Sequence, residues 1–244
     1  MTARPTRVVS VDPRRPDAAA LDDAAAVLRD GGLVAFPTET FYGLGALALD
    51  RTAVRRIFDL KGRAETKPLL VLVDSLAMAE RVGDVGPAAR ELAARHWPGA
   101  LTLVVPAREG VPKDVTAGTG TIGVRVSPHP VARGLVGAVG APVTAPSANA
   151  SGAPPPTTAE AVLAYFRDRI ELVLDGGPTS GGEPSTVLDT TTDPPRILRQ
   201  GAVVVPGAGR RGAAGRAAAR PGAGAPACEA SEPGEPPPAE ASER

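Results

Sequence analysis

Short apolar runs of strand length alternate along the chain with longer stretches whose apolar positions recur at helical spacing. Residues 17–30, DAAALDDAAAVLRD, read as a helix stopped by Gly31-Gly32. LVAF at 33–36 is then a buried strand, ended by Pro37. Asp50 stands where it can cap a helix through RTAVRRIFDLK, in which Val54, Ile57, Phe58 and Lys61 share a face. LLVLV at 69–73 is a second buried strand. Helical spacing returns at 75–82 and 87–95, extended patterns at 101–105 and 121–126, and a helix at 129–138. A strand at 142–145 leads into the loop PSANASGAPPP, after which Thr157 or Thr158 caps a helix over 158–168. Strands at 171–174, 186–189, 195–199 and 202–205 complete the pattern, and no internal repeat is visible. Buried apolar strands separated by crossover helices predict an α/β fold: a single domain over 1–205, with a twisted mixed β-sheet flanked by helices.

Composition changes the picture at one place, Val205. Residues 206–244 are mostly Ala, Gly and Pro, with no aromatic or aliphatic side chain larger than alanine. Such a segment buries too little surface to offset its ordering entropy, so a disordered tail is expected over 206–244. Arg210, Arg211, Arg216 and Arg220 come before its glutamates, which run from Glu229 to Glu243. Cys228, the only cysteine, lies there too, which excludes an internal disulfide and a cysteine-rich zinc site. Charge narrows the function classes. Lys plus Arg equals Asp plus Glu at 27 each, so no global field draws the chain onto nucleic acid or an anionic membrane. No apolar run spans a bilayer and no secretory h-region opens the chain, so a cytoplasmic location is expected.

One literal G-x-G-x-x-G occurs, at Gly118, Gly120 and Gly123, but a polar loop precedes it and VRV follows. It lacks the strand-before, helix-after context of a dinucleotide fingerprint. No Walker A, G-x-S-x-G or H-E-x-x-H pattern is present. His96 precedes Trp97-Pro98-Gly99, and His129 lies between two prolines; both read as structural.

The lysines are more informative. There are only three against 24 arginines, and Lys61 and Lys67 fall in one heptapeptide, Lys61-Gly62-Arg63-Ala64-Glu65-Thr66-Lys67. Three cations where a helix gives way to a strand suit phosphate or carboxylate. They equally suit the negative end of the helix dipole, worth about 0.3–1 kcal/mol. Other polar groups flank strands in the same way: Pro37-Thr38-Glu39-Thr40, Ser147 and Asn149, Ser185-Thr186, and Arg199. Arg125 sits inside an apolar strand, which is costly for a guanidinium without an anionic partner. Hydroxyls and cations gathered at strand ends predict an anion-binding site that works by positioning and charge stabilisation.

Seven segments carry a resemblance: GGLVAFPTETFYGLGALALD, KGRAETKPL, HWPGALTLVV, GTIGVRV, APSANASG, DGGPTSGGEPSTVLD and ILRQGA. In this order, over about 17–205, they resemble the YrdC-like family of threonylcarbamoyl-AMP synthases in its short, single-domain form. The resemblance implies an L-threonylcarbamoyladenylate synthase, a nucleotidyltransferase that condenses L-threonine, bicarbonate and ATP and releases pyrophosphate. Its product serves a partner tRNA threonylcarbamoyl transferase. It implies Mg2+ arriving with ATP, no structural metal, and weak or no direct nucleic-acid binding. By the same resemblance Thr40, Arg125 and Ser185 contact threonine, with Arg125 on its carboxylate. Arg63, Lys67, Thr121, Ser147, Asn149 and Arg199 line ATP, and Lys61 and Arg63 are catalytic, Lys61 steering bicarbonate or the carbamate. Two positions depart from the family, Leu72 where many members have histidine and Pro155 where many have serine. Alternatives are an RNA-binding or ribosome-maturation module on the same basic concave surface, and a carbamoyl-adenylate forming domain.

Overall fold

The computed structural model describes residues 5–62 and 68–210. Arg63 and Lys67 lie outside the described residues, as does the expected tail from 211 onward with Cys228. Two mixed sheets carry the architecture. The smaller has the order β1-β8-β2-β3, built from β1 (Arg7–Ser10), β8 (Leu172–Asp175), β2 (Val34–Pro37) and β3 (Tyr42–Gly45). The larger runs β11-β10-β9-β5-β6-β4-β7. Its strands are β4 (Leu70–Leu72), β5 (Leu101–Pro106), β6 (Thr121–Arg125), β7 (Val143–Thr144), β9 (Thr186–Asp189), β10 (Arg196–Arg199) and β11 (Gly209–Arg210). One mixed sheet was expected from the sequence. The structure has two, linked by the isolated bridges Gly43↔Ser147 and Leu47↔Val143 and by the Thr144 hydroxyl, which donates to the Leu44 carbonyl and accepts from the Ala46 N–H. No helix among those residues is long and apolar enough to cross a membrane.

The helices form where the capping residues predict them. Asp17 accepts from the Ala19 N–H at the start of α1 (Ala18–Arg29), and Asp50 from the Thr52 and Ala53 N–H groups at α2 (Arg51–Lys61). Val54, Ile57, Phe58 and Lys61 are all buried along α2, and the helix closes on Gly62 in the left-handed conformation. Ser75 caps α3 (Leu76–Val82), Pro87 opens α4 (Pro87–His96), and His129 caps α6 (Pro130–Val139) with its Nδ1 accepting from the Val131 N–H. Thr158 caps α7 (Ala159–Phe166). A one-turn helix, α5 (Lys113–Thr116), precedes the turn that holds Gly118 and Gly120. Gly123 then lies inside β6 with no helix after it, so the glycine triplet is turn and strand.

The structure departs from the sequence pattern in several places, including β1 and the one-turn α5, neither of which was expected. β3 was not expected, because YGLG is half glycine and carries little strand propensity. The glycines have a packing reason: a Cβ on Gly45 would lie 2.9 Å from Phe36 Cε1 and 3.0 Å from Val143 Cγ1. The expected strand at 202–205 is irregular. Ala202 N–H donates to the Pro184 carbonyl and Val203 N–H to Thr186 Oγ1, so loop 200–203 folds against 184–186 instead of pairing as a strand. Only glycine fits at 201, where a Cβ would fall 2.1 Å from the Pro184 oxygen. Finally, the ordered chain continues past 205, since Gly209–Arg210 pairs parallel with Arg196–Ile197.

Candidate active site

A cleft of about 550 Å³ is lined from both sheets. From the smaller sheet come the β2–β3 turn and the head of β3, Thr38 through Gly43 with Glu39 excepted. From the larger come Leu70, Arg125 and Arg199, with the loops carrying Ser147 and Ser185. Each wall is held by a specific polar bond.

The β2–β3 turn closes on Thr38. Its Oγ1 donates to the Phe41 carbonyl at 2.7 Å and accepts from the Thr40 and Phe41 N–H groups. The Gly-rich loop after β8 latches onto the same turn. Ser180 Oγ donates to the Glu39 carbonyl at 2.6 Å, and Gly181 N–H donates to the Thr40 carbonyl at 2.9 Å. Thr40 thereby reaches the cleft.

Arg125 ends β6 at 3% exposure and faces the cleft. The sequence left it without a visible anionic partner; the fold supplies Glu39, which accepts from Arg125 Nη1. Ser127 Oγ donates to the other Glu39 oxygen at 2.8 Å. Burial pushes the Arg125 guanidinium below its ordinary value; the Glu39 charge opposes that shift and the Arg199 charge adds to it. Arg125 Nε is buried and has no hydrogen-bond partner among the described residues.

Arg199, at the end of β10, is held differently. Its Nε and Nη2 donate to the Ser185 carbonyl at 3.1 and 2.8 Å, and Nη2 also reaches Ser185 Oγ at 3.1 Å. Ser185 Oγ lies 3.0 Å from Thr102 Oγ1 in the neighbouring β5. Ser185 is therefore fixed by a strand on one side and a guanidinium on the other.

Lys61 is 5% exposed at the end of α2. Its Nζ donates to the carbonyls of Ser147 and Asn149 at 2.5 and 2.6 Å, and its own carbonyl accepts from the Ser151 N–H. The lysine ties the APSANASG loop to the helix end, and Ser147 faces the cleft while Lys61 is not on its lining. Neither sequence reading of Lys61, a helix-dipole charge or an anion ligand, anticipated that pair of carbonyls. Asn149 donates to the Ala150 and Ala153 carbonyls, and its buried Oδ1 has no partner among the described residues.

Thus Thr40, Arg125, Ser147, Ser185 and Arg199 converge on the cleft, and Lys61 and Asn149 support its rim. Thr121 does not join them: at the far end of β6, about 13 Å along the strand from Arg125, it pairs its hydroxyl with Thr119. Pro68, the first described residue after Lys67, lines the cleft, as does Pro155. Leu72 is fully buried in β4 beside Arg125 in register, an apolar strand position off the cleft lining. The sequence reading passed over Ser127, which lies two residues after Arg125, just past the end of β6. It also passed over Thr102, Phe41 and Tyr42. The Tyr42 hydroxyl donates to the Gly177 carbonyl at 2.7 Å, and burial, followed by the Asp175 charge, pushes its pKa upward.

The fold and cleft define an α/β protein whose cleft is lined by fixed hydroxyls and two guanidinium groups. The family model Sua5_yciO_yrdC, described as "Telomere recombination", matches residues 26–201. The chain belongs to this family. It is 48% identical over 179 residues to the threonylcarbamoyl-AMP synthase of Pyrococcus abyssi, covering 73% of this chain and 53% of that protein. It is 39% identical to the threonylcarbamoyl-AMP synthase of Thiobacillus denitrificans, over 71% of this chain and 92% of that one. Among solved structures, P. abyssi Sua5 complexed with L-threonine superposes with a TM-score of 0.78 at 45% identity, covering 80% of this chain and 58% of that one. E. coli YciO superposes with a TM-score of 0.76 at 26% identity, covering 82% of this chain and 98% of that one. The chain thus spans about half the length of its P. abyssi relative and nearly all of the shorter ones.

Proposed function

We propose that the chain is an L-threonylcarbamoyladenylate synthase, condensing L-threonine, bicarbonate and ATP to threonylcarbamoyl-AMP and pyrophosphate. The observation that carries this reading is Arg125, a buried guanidinium facing the cleft with an Nε unpartnered among the described residues, in a family whose P. abyssi member is named for this activity. A buried donor without a partner favours an acceptor brought by a ligand, and the carboxylate of an amino acid supplies two. Thr40 and Ser185, fixed on either side, orient the rest of the threonine.

The threonine amine takes up bicarbonate as a carbamate, with loss of water, and a carbamate oxygen attacks the α-phosphorus of ATP as pyrophosphate leaves. Both fragments are anionic, so cations at the meeting point lower the repulsion and stabilise the transition state. Arg199 faces the phosphates in this arrangement, with Arg63 and Lys67 assigned to the same anion. Ser147 contacts the nucleotide, and Lys61 with Asn149 keeps the Ser147 loop in place. That role makes Lys61 a positioning residue. Mg2+ would arrive with ATP, with phosphate and water supplying most of its ligands, and would lower the charge on the phosphates. The product passes to a tRNA threonylcarbamoyl transferase.

Purified protein should release pyrophosphate only when threonine and bicarbonate are both present, with the adduct identified by mass. Release indifferent to threonine would overturn the reading.

A further inference from the structure

Thr38 and Thr40 line the cleft, whereas Glu39 between them does not. The turn sends alternate side chains forward and back, and the glutamate goes back. There it meets Arg125 Nη1 with one oxygen and Ser127 Oγ with the other. Ser127, 1% exposed, also accepts from the His129 N–H at 3.2 Å. Glu39 is thus braced by groups from β6, from the segment after it, and from Ser180 through its own carbonyl. A carboxylate pinned on this many sides is poorly placed to swing away and act as a rival ligand in the cleft.

Its effect on Arg125 is geometric. A guanidinium offers two edges to a carboxylate, one through Nε and Nη2 and one through the two terminal nitrogens. Glu39 commits Nη1, and Nε is the buried donor without a partner among the described residues. We propose that Glu39 is a positioning residue that holds Arg125 from behind, leaving the Nε–Nη2 edge to receive the carboxylate of the amino-acid substrate. The inference rests on the assignment of Arg125 to that carboxylate. It adds which edge binds, and why an anion-binding cleft would keep a carboxylate next to its arginine. A bidentate contact through one preset edge selects a planar two-oxygen acceptor over a neutral amide or alcohol at the same place.

The test compares calorimetric binding of L-threonine and L-threonine amide, together with steady-state kinetics, in the wild-type chain, Glu39→Gln and Glu39→Ala. The Glu39→Gln side chain retains an oxygen for Nη1 and a polar contact for Ser127. Thermal unfolding of each variant reports folding. The expected result is tenfold or greater loss of threonine affinity in Glu39→Ala, carried in KM for threonine. Expected alongside it are kcat within about threefold, an unchanged KM for ATP, and reduced discrimination against the amide. Glu39→Gln should recover most of the affinity. Threonine affinity unchanged or tightened in folded Glu39→Ala overturns the positioning role alone, as does an effect confined to kcat. Wild-type protein that binds the amide as well as threonine overturns instead the assignment of Arg125 to the carboxylate. Wild-type protein that binds neither overturns both.

Discussion

Arg125 and Arg199 both face the cleft, yet the first is buried in β6 against a carboxylate while the second rides the exposed end of β10 on the oxygens of one serine. The difference is one of charge as well as place. Arg125 and Glu39 together are neutral, so the pair adds little to the field outside the cleft and offers direction in its place. Among the described residues Arg199 is paired with neutral oxygens alone, which leave its charge uncompensated. In the proposed function, Arg125 would orient a small carboxylate at contact and Arg199 would attract phosphate at a distance.

Arg125→Ala attacks the comparison most directly and carries the largest expected effect. It strands the Glu39 carboxylate, which should cost about 3–5 kcal/mol in denaturant unfolding. Threonine-dependent pyrophosphate release should fall about a hundredfold or more. Arg199→Ala should separate the two roles. KM for ATP should rise about tenfold to a hundredfold, as for loss of a charge-assisted contact, while stability changes by about 1 kcal/mol. The salt dependence of that KM should flatten in the variant, since screening acts on the unpaired charge. If Arg199→Ala destabilised the fold as severely as Arg125→Ala, the contrast between the two arginines would fail.

Thr102→Val sharpens the Ser185 side. It deletes the hydroxyl behind Ser185 without touching the cleft lining, and activity should drop about fivefold, a cost near 1 kcal/mol for one buried hydrogen bond. Kinetics with threonine varied would place the loss in KM. The smallest effect concerns the Arg125 side. Burial holds His129 below its ordinary value of 6.5, with the Glu39 charge opposing, and its Nδ1 must stay unprotonated to cap α6. The unfolded chain therefore takes up the proton first, and stability should be lost as pH falls below about 6.5. His129→Asn keeps a capping acceptor without titrating. Its thermal midpoint should fall less than that of the wild type between about pH 7 and about pH 5.5.

How much of this was legible beforehand varies by region. Capping residues such as Asp50 and Thr158 act within a few residues of their own position, so every helix longer than one turn was readable in order and nearly in length, whereas the one-turn α5 was not. β1 and β3 were not. The first is a four-residue edge strand exposed along most of its length, and the second is half glycine. The site showed the same split. Thr40, Arg125, Ser147, Ser185 and Arg199 could be named because each interrupts or ends an apolar run. What each touches could not, because Glu39 is 86 residues from Arg125 and Ser147 is 86 from Lys61.

The linear pattern of apolar runs, caps and misplaced polar groups was enough to establish an α/β chain with cations and hydroxyls at its strand ends, since burial and capping are local properties. It also showed that Arg125 needed an anion. Only the tertiary structure decided that the anion is Glu39, that Lys61 donates to two loop carbonyls, and that Thr121 stands away from the cleft. Those outcomes depend on which sheet each strand joins and in what register. Pairing of that kind is settled by the collapse of the whole core, and one residue of register reverses every side chain on a strand.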